Sequence, residues 1–229
     1  LDILYFQEER EYWKRRLFLE EALPISAEAF QLYAFCVDMF SDYPVQDESP
    51  TKFALLQLIV GSQMQLGPTI SNLLRGHAAD GLSQIRKAIE FALFAFNLFE
   101  YPDSPQKWID AGRDQTAWKE YRDAFNIMDM LDLNTYRAAT SNEKPLLELL
   151  IQRYEQCCVP VHATHLSITA NMKLTDTEDG KGIDFGHLDS LPEIEVLRLY
   201  LWIIDTHLMI SKLYMYLLER LLPNFEYAY

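Results

Sequence analysis

Glycine is scarce in this chain of 229 residues, at only 8. A turn-rich sandwich or barrel needs many more, so the shortage favours long helices. Cysteine is scarcer still: Cys36, Cys157 and Cys158. An odd number, with two adjacent, makes a poor disulfide framework and points to a reducing cytoplasm. Positive charge is in deficit, with 20 Lys and Arg against 34 Asp and Glu and a net charge of −14. Such a chain repels phosphate backbones, which weighs against nucleic-acid binding. Its densest basic run, Lys14-Arg15-Arg16, stands among glutamates. No succession of basic, apolar and small residues marks a signal peptide near the start, so none is expected. An uncharged run is also missing. The most membrane-like stretch, 194–218, holds Glu195, Arg198, Asp205, His207 and Lys212, whereas a spanning helix needs about 20 nearly uncharged residues. It reads as a core helix.

The familiar chemical signatures are absent as well. There is no Gly-rich phosphate loop, no Gly-x-Ser-x-Gly elbow and no His-Glu-x-x-His pair. The acidic segment 176–184 invites a calcium reading but fails the EF-hand template. With Gly180 in the sixth place, Gly186 falls where a bidentate carboxylate is required.

What the chain does have is apolar mass. Hydrophobic residues make up 49%, with 13 Phe and 13 Tyr, enough for a chain this long to bury roughly 70% of its unfolded surface. The expected fold is all-α: one domain over 1–229, a helical bundle of about seven or eight helices. Peripheral N-terminal helices occupy 1–45 and the core bundle 51–222, built around 69–100, 143–170 and 192–222. The pattern predicts a first helix over 2–22 ended by Pro24, and a second from an N-cap at Ser26 to about Ser41. A third opens at Thr51 and breaks or kinks at Gly67-Pro68. Residues 69–100 form one helix or two, with Asp80 as a cap for the second. Asp103-Ser104-Pro105 starts a helix towards Phe125. Ser141 opens one over 143–170, kinked at Pro160. Residues 174–190 form a loop or a small hairpin around Asp179-Gly180, and the last helix spans 192–222.

Three constellations carry polar chemistry on this apolar frame. Arg86 lies four residues before Glu90, so both face one side of a helix whose stretch from Ala88 to Phe99 is otherwise apolar except for Asn97. The pair is expected to act as an inter-helix ion pair; the sharper alternative makes Glu90 a general base or a metal ligand. His162 and His165, three apart, share one helix face. They would chelate a metal only with further ligands drawn from His77, Asp80, Glu90, Asp205 and His207. The packing reading is favoured for them. Arg198, Asp205, Lys212 and Glu219 recur every seven residues, one gently drifting line on the last helix, expected to be a polar seam. The di-iron Glu-x-x-His signature is missing. Cys157 and Cys158 diverge by about 100° and do not face one site.

Two segments resemble a known group. Leu73-Leu74-Arg75-Gly76, then Ala79-Asp80, then Leu82-x-x-x-Arg86-x-x-x-Glu90, is similar to a run in a family of uncharacterised bacterial helical proteins that is compared with the HEPN-like helical bundles. Tyr154 followed by Val161-His162-Ala163-Thr164 resembles that family's second landmark. The resemblance spans roughly 55–170 and implies a helical bundle. HEPN nucleases carry Arg, four to six residues, then His. Here eight residues separate Arg153 from His162, nine helical steps that put them on opposite faces, and Arg75 and His77 are too close together. The resemblance therefore does not carry ribonuclease activity with it.

The sequence does not name a function. The reading it favours is a cytoplasmic interaction or regulatory protein without catalysis. It would work as a homodimer or with a protein partner, away from nucleic acid and membranes, and the apolar last helix would be the docking face. The alternative is an enzyme with an inter-helix polar pocket, metal-dependent or a HEPN-type ribonuclease. Its catalytic candidates are Arg86, Glu90 and His162, and its metal candidates are His162, His165, Glu90 and Asp205. No motif implies a particular cofactor.

Overall fold

The computed structural model describes residues 2–42, 49–161, 172–177, 180–185 and 191–221. Among them the regular structure is helical apart from one antiparallel hairpin, β1 Met172–Thr177 with β2 Gly180–Phe185. Eight helices of seven residues or more follow one another: α1 Asp2–Phe18, α2 Leu23–Asp42, α3 Pro50–Arg75, α4 Ala78–Glu100, α5 Ser104–Asp110, α6 Gln115–Ala124, α8 Glu143–Val161 and α9 Glu193–Leu221. The single-turn α7, Ile127–Met130, and a 3₁₀ turn at Leu133–Thr135 lie between α6 and α8. The expected all-α bundle is what forms. None of these helices is long and apolar enough to cross a membrane.

The antiparallel pair α3–α4 is the spine. Its turn is a Schellman cap: Gly76 takes φ 87°, His77 N–H donates to Asn72 O at 2.8 Å and Gly76 N–H to Leu73 O at 3.2 Å. Glycine fits because a Cβ is strained in the left-handed region. This settles the 69–100 question as two helices. Asp80 lies in the first turn of α4 instead of capping it, and His77 holds the cap position without a side-chain bond. The spine helices approach closely where glycine permits. A Cβ on Gly81 would stand 3.1 Å from Thr69 O, and one on Gly61 would stand 3.0 Å from the Phe91 ring.

The predicted break at Gly67-Pro68 does not occur, and α3 runs through Pro68. Both residues are solvent-exposed, while Leu66 and Thr69 beside them are buried. The hydrogen bond that proline forfeits is therefore lost on the wet side, where water replaces it. Other boundaries also moved. α1 stops at Phe18, and Pro24 sits in the first turn of α2. Ser26 is inside α2, where its hydroxyl donates back to Leu23 O at 2.6 Å and does not cap. The single helix expected towards Phe125 is two, because Asp114 starts α6 by accepting the Ala117 N–H at 2.9 Å. α8 is capped by Thr140 instead of Ser141. Thr140 N–H donates to Glu143 Oε2 at 2.6 Å and Glu143 N–H to Thr140 Oγ1 at 3.3 Å, a reciprocal capping box. The expected kink at Pro160 and continuation to 170 fall at or beyond the end of the described part of α8.

α8 packs on α4, and α9 packs on α2, α3, α4 and α8. The core between them holds Leu55, Leu58, Ile59, Ile85, Ile89, Leu93, Phe96, Tyr200, Ile210 and Leu217, all essentially inaccessible. α5 and α6 close one end through a cluster of Phe94, Trp108, Tyr121 and Phe125 with ring centroids 5.2–6.1 Å apart.

Candidate functional site

Arg86 and Glu90 occupy the face of α4 that meets α8. Their four-residue spacing brings Arg86 Nε to 3.4 Å from Glu90 Oε1. Nε nevertheless makes no hydrogen bond, so the contact is Coulombic and not an aligned hydrogen bond. The alignment comes from α8 instead: Tyr154 Oη donates to Glu90 Oε1 at 3.2 Å. The Arg86 guanidinium lies 5.8 Å from the centre of the Tyr154 ring. One tyrosine thus engages both charges, its edge hydroxyl the carboxylate and its face the guanidinium. Burial, and then the neighbouring Glu90 charge, hold the Tyr154 phenol well above its ordinary value, so it remains a proton donor to Glu90. Tyr121 is shifted the same way by burial and by Glu90.

The adjacent thiol is inert. Burial first, then Cys158, pushes Cys157 up to about 12, and a thiol that stays protonated is a poor nucleophile and a poor metal ligand. Cys36, in α2, is also pushed up to about 12 by burial.

The remaining candidates scatter. Asp205 in α9 pairs with Arg153 in α8 at 2.9 Å, and that guanidinium stacks 4.7 Å over the Trp202 ring. His77 lies 3.4 Å from Glu8 of α1. Asp80 is exposed. His207 is buried in the core, where its Nδ1 meets Tyr33 Oη at 2.9 Å. Burial pushes His207 down to about 3, so it is neutral. His162 and His165 lie outside the described residues. Among the described residues no three His, Cys, Asp or Glu side chains gather where they would hold a metal ion.

Two further polar contacts that the sequence did not announce tie α9 to its neighbours. Glu143, only 1% exposed, lies 3.4 Å from Arg220. The Arg220 guanidinium in turn covers the rings of Phe99 at 5.0 Å and Phe96 at 5.5 Å. Deeper in the core, Tyr214 Oη donates to Leu58 O at 3.0 Å and meets Ser62 Oγ at 2.6 Å. These partners are separated by 77 and 156 positions, and no local pattern links them. Arg86–Glu90–Tyr154, Arg153–Asp205 and Arg220–Glu143 together make polar fastenings along α4–α8–α9. Their chemistry is donation, acceptance and cation–π contact between helices.

The chain matches no family model, no curated protein and no solved structure.

Proposed function

We propose that this protein is a non-catalytic interaction module that self-associates through α1. The observation that carries this reading is a stripe of large apolar side chains left in solvent: Phe6 at 65%, Trp13 at 52% and Leu17 at 68% exposure. They are seven and four residues apart and fall within about 40° of one line on the helix. A contiguous exposed stripe of this kind is the signature of a contact surface. The last helix is less available, because Val196, Tyr200, Ile203, Ile204, Ile210, Leu213, Tyr214, Leu217 and Leu218 face this chain's own core.

Charge favours a second copy of the chain as the occupant. α1 carries four acidic and four basic residues, so the whole net charge of −14 lies elsewhere and α1 is where two copies repel least. The acidic Glu8, Glu9 and Glu11 precede the basic Lys14, Arg15 and Arg16. A two-fold axis across the middle of the helix would set Phe6 against Leu17 and Glu9 against Arg16 of the other copy, a self-complementary arrangement. Three free cysteines support a reducing compartment such as the cytoplasm. The likeness to HEPN-like bundles enters the proposal as a helical scaffold without ribonuclease action. Arg153, the arginine nearest before His162, is engaged by Asp205 and Trp202.

Sedimentation or light scattering from 1 to 100 µM tests the proposal. The expected result is a dimer that Trp13→Glu dissociates while the helical circular dichroism is kept. Leu201→Glu, on the exposed side of α9, should leave the dimer intact. A wild-type monomer throughout the range overturns self-association, and dissociation by Leu201→Glu alone moves the face to α9.

A further inference from the structure

A cavity of about 320 Å³ opens between the C-terminal end of α4, the start of α5 and the segment from α6 to the 3₁₀ turn. The fastenings described above do not reach it. Four carboxylates line it, Glu100, Asp103, Asp123 and Asp129, with Lys107 as the one cation of the lining and the rings of Tyr101 and Tyr136 as its aromatic part. Asn97, 2% exposed, also lines it. Its amide nitrogen donates to Ala124 O at 2.7 Å, which fixes the orientation of the amide. Its Oδ1 is then a buried acceptor with no partner. A buried acceptor left bare costs free energy unless something donates to it.

Apart from the Lys107 ammonium and the Tyr101 hydroxyl, the side-chain donors of the lining are committed. Tyr136 Oη donates to Met130 O at 2.6 Å, and Ser104 Oγ donates to Tyr101 O and Asn97 O. Thr135 Oγ1 donates to Asp129 O, and Asn126 Nδ2 to Asp129 Oδ2. The Glu100 carboxylate is held in place by the N–H groups of Arg137 and Ala138, at 2.8 and 2.9 Å. Acceptors remain in excess: Asn97 Oδ1 and the carboxylates of Asp103 and Asp123. A cavity of this size suits a small molecule. Open acceptors and four carboxylates against one ammonium, beside aromatic rings, select a ligand rich in N–H and positive charge.

We propose that this cavity binds a small organic cation, an alkylammonium of the diamine class, with Asn97 Oδ1 as its buried acceptor and Asp103 and Asp123 as its counter-charges. This is independent of self-association through α1. Neutral and anionic ligands of the same length lack either the donors or the charge.

Isothermal titration of the full chain with 1,4-diaminobutane tests this, using 1,4-butanediol and succinate as length-matched comparators. One site is expected for the diamine, with Kd below about 1 mM, and no binding for the diol or succinate. The double variant Asp103→Asn/Asp123→Asn changes two exposed residues and is expected to fold; it should bind the diamine about tenfold more weakly. Because the whole chain is acidic, Glu28→Gln/Glu148→Gln, two exposed residues on helices that do not line the cavity, serves as a charge-matched control and should bind as the wild type does. Absence of saturable diamine binding overturns the proposal, as does equal weakening in both double variants, which would mean diffuse attraction to an acidic chain. Equal affinity for the diol would overturn the role of charge.

Discussion

His207 makes the fold sensitive to acid in a way that can be calculated. Its ring projects from α9 and is buried against α2, bonded to Tyr33, with Tyr33 in turn 6.3 Å from the Tyr214 ring. Its Nε2 has no partner in the protein, so nothing offsets a positive charge there. Burial holds His207 at about 3 in the folded chain. In the unfolded chain it titrates near 6.5. Because the folded value is the lower one, the unfolded chain takes up the proton first. Stability is therefore fully present above about pH 6.5 and is lost as pH falls from there towards 3. Between pH 7 and pH 5 the unfolded imidazole goes from mostly neutral to mostly charged while the buried one stays neutral, which removes about 2 kcal/mol. The perturbation is His207→Gln, which keeps an acceptor for Tyr33 and removes the titration. Urea unfolding at the two pH values measures the difference. The wild type should lose about 2 kcal/mol more than the variant over that interval. Equal losses in the two proteins, within about 0.5 kcal/mol, would refute the reasoning, because a buried neutral histidine must contribute this slope.

Other perturbations follow from the same geometry. Gly76→Ala places a Cβ at φ 87° and should lower stability by about 1–2 kcal/mol in the same assay. Glu143→Ala removes the capping box of α8 together with the partner of Arg220, and should cost about 2 kcal/mol or more. A thiol-specific alkylating reagent at pH 8, read by mass spectrometry on the folded protein, should label Cys158 well ahead of Cys36 and Cys157, since the last two are buried and held up at about 12. Labelling of all three at similar rates would contradict the burial of Cys36 and Cys157.

The helices were legible because apolar periodicity and the shortage of glycine agree with one another over long stretches, as in α4 and α9. Local punctuation was less dependable. Pro68 looks like a break in one dimension, and only the burial of Leu66 and Thr69 on the opposite face shows why the helix continues past it. Asp114 and Thr140 are the caps, but the first lies inside an apparently continuous helical pattern and the second beside an equally plausible Ser141. The Arg86–Glu90 spacing correctly placed two charges on one face of α4. What completes the pair, Tyr154, lies 64 positions away, and nothing in either segment specifies that contact. Asp205 shows the same limit: its seven-residue stripe marks a solvated or inter-helix polar seam, but nothing in it names Arg153 of α8 as the partner. The cavity around Asn97 is not legible in the sequence, where Asn97 is only a polar interruption in an apolar run. Its meaning depends on Ala124 taking one end of the amide and leaving the other bare.

The central claim is that Arg86 and Glu90 fasten α4 to α8 through Tyr154. A double-mutant cycle on Glu90→Gln and Tyr154→Phe, followed by urea unfolding, tests it most directly. Each single change should destabilise the fold, and the two should be coupled by about 1 kcal/mol, because the hydrogen bond to a charged carboxylate is lost once and not twice. Additive losses, with coupling within about 0.3 kcal/mol of zero, would mean that Tyr154 does not engage Glu90 and that the pair is not an inter-helix clamp.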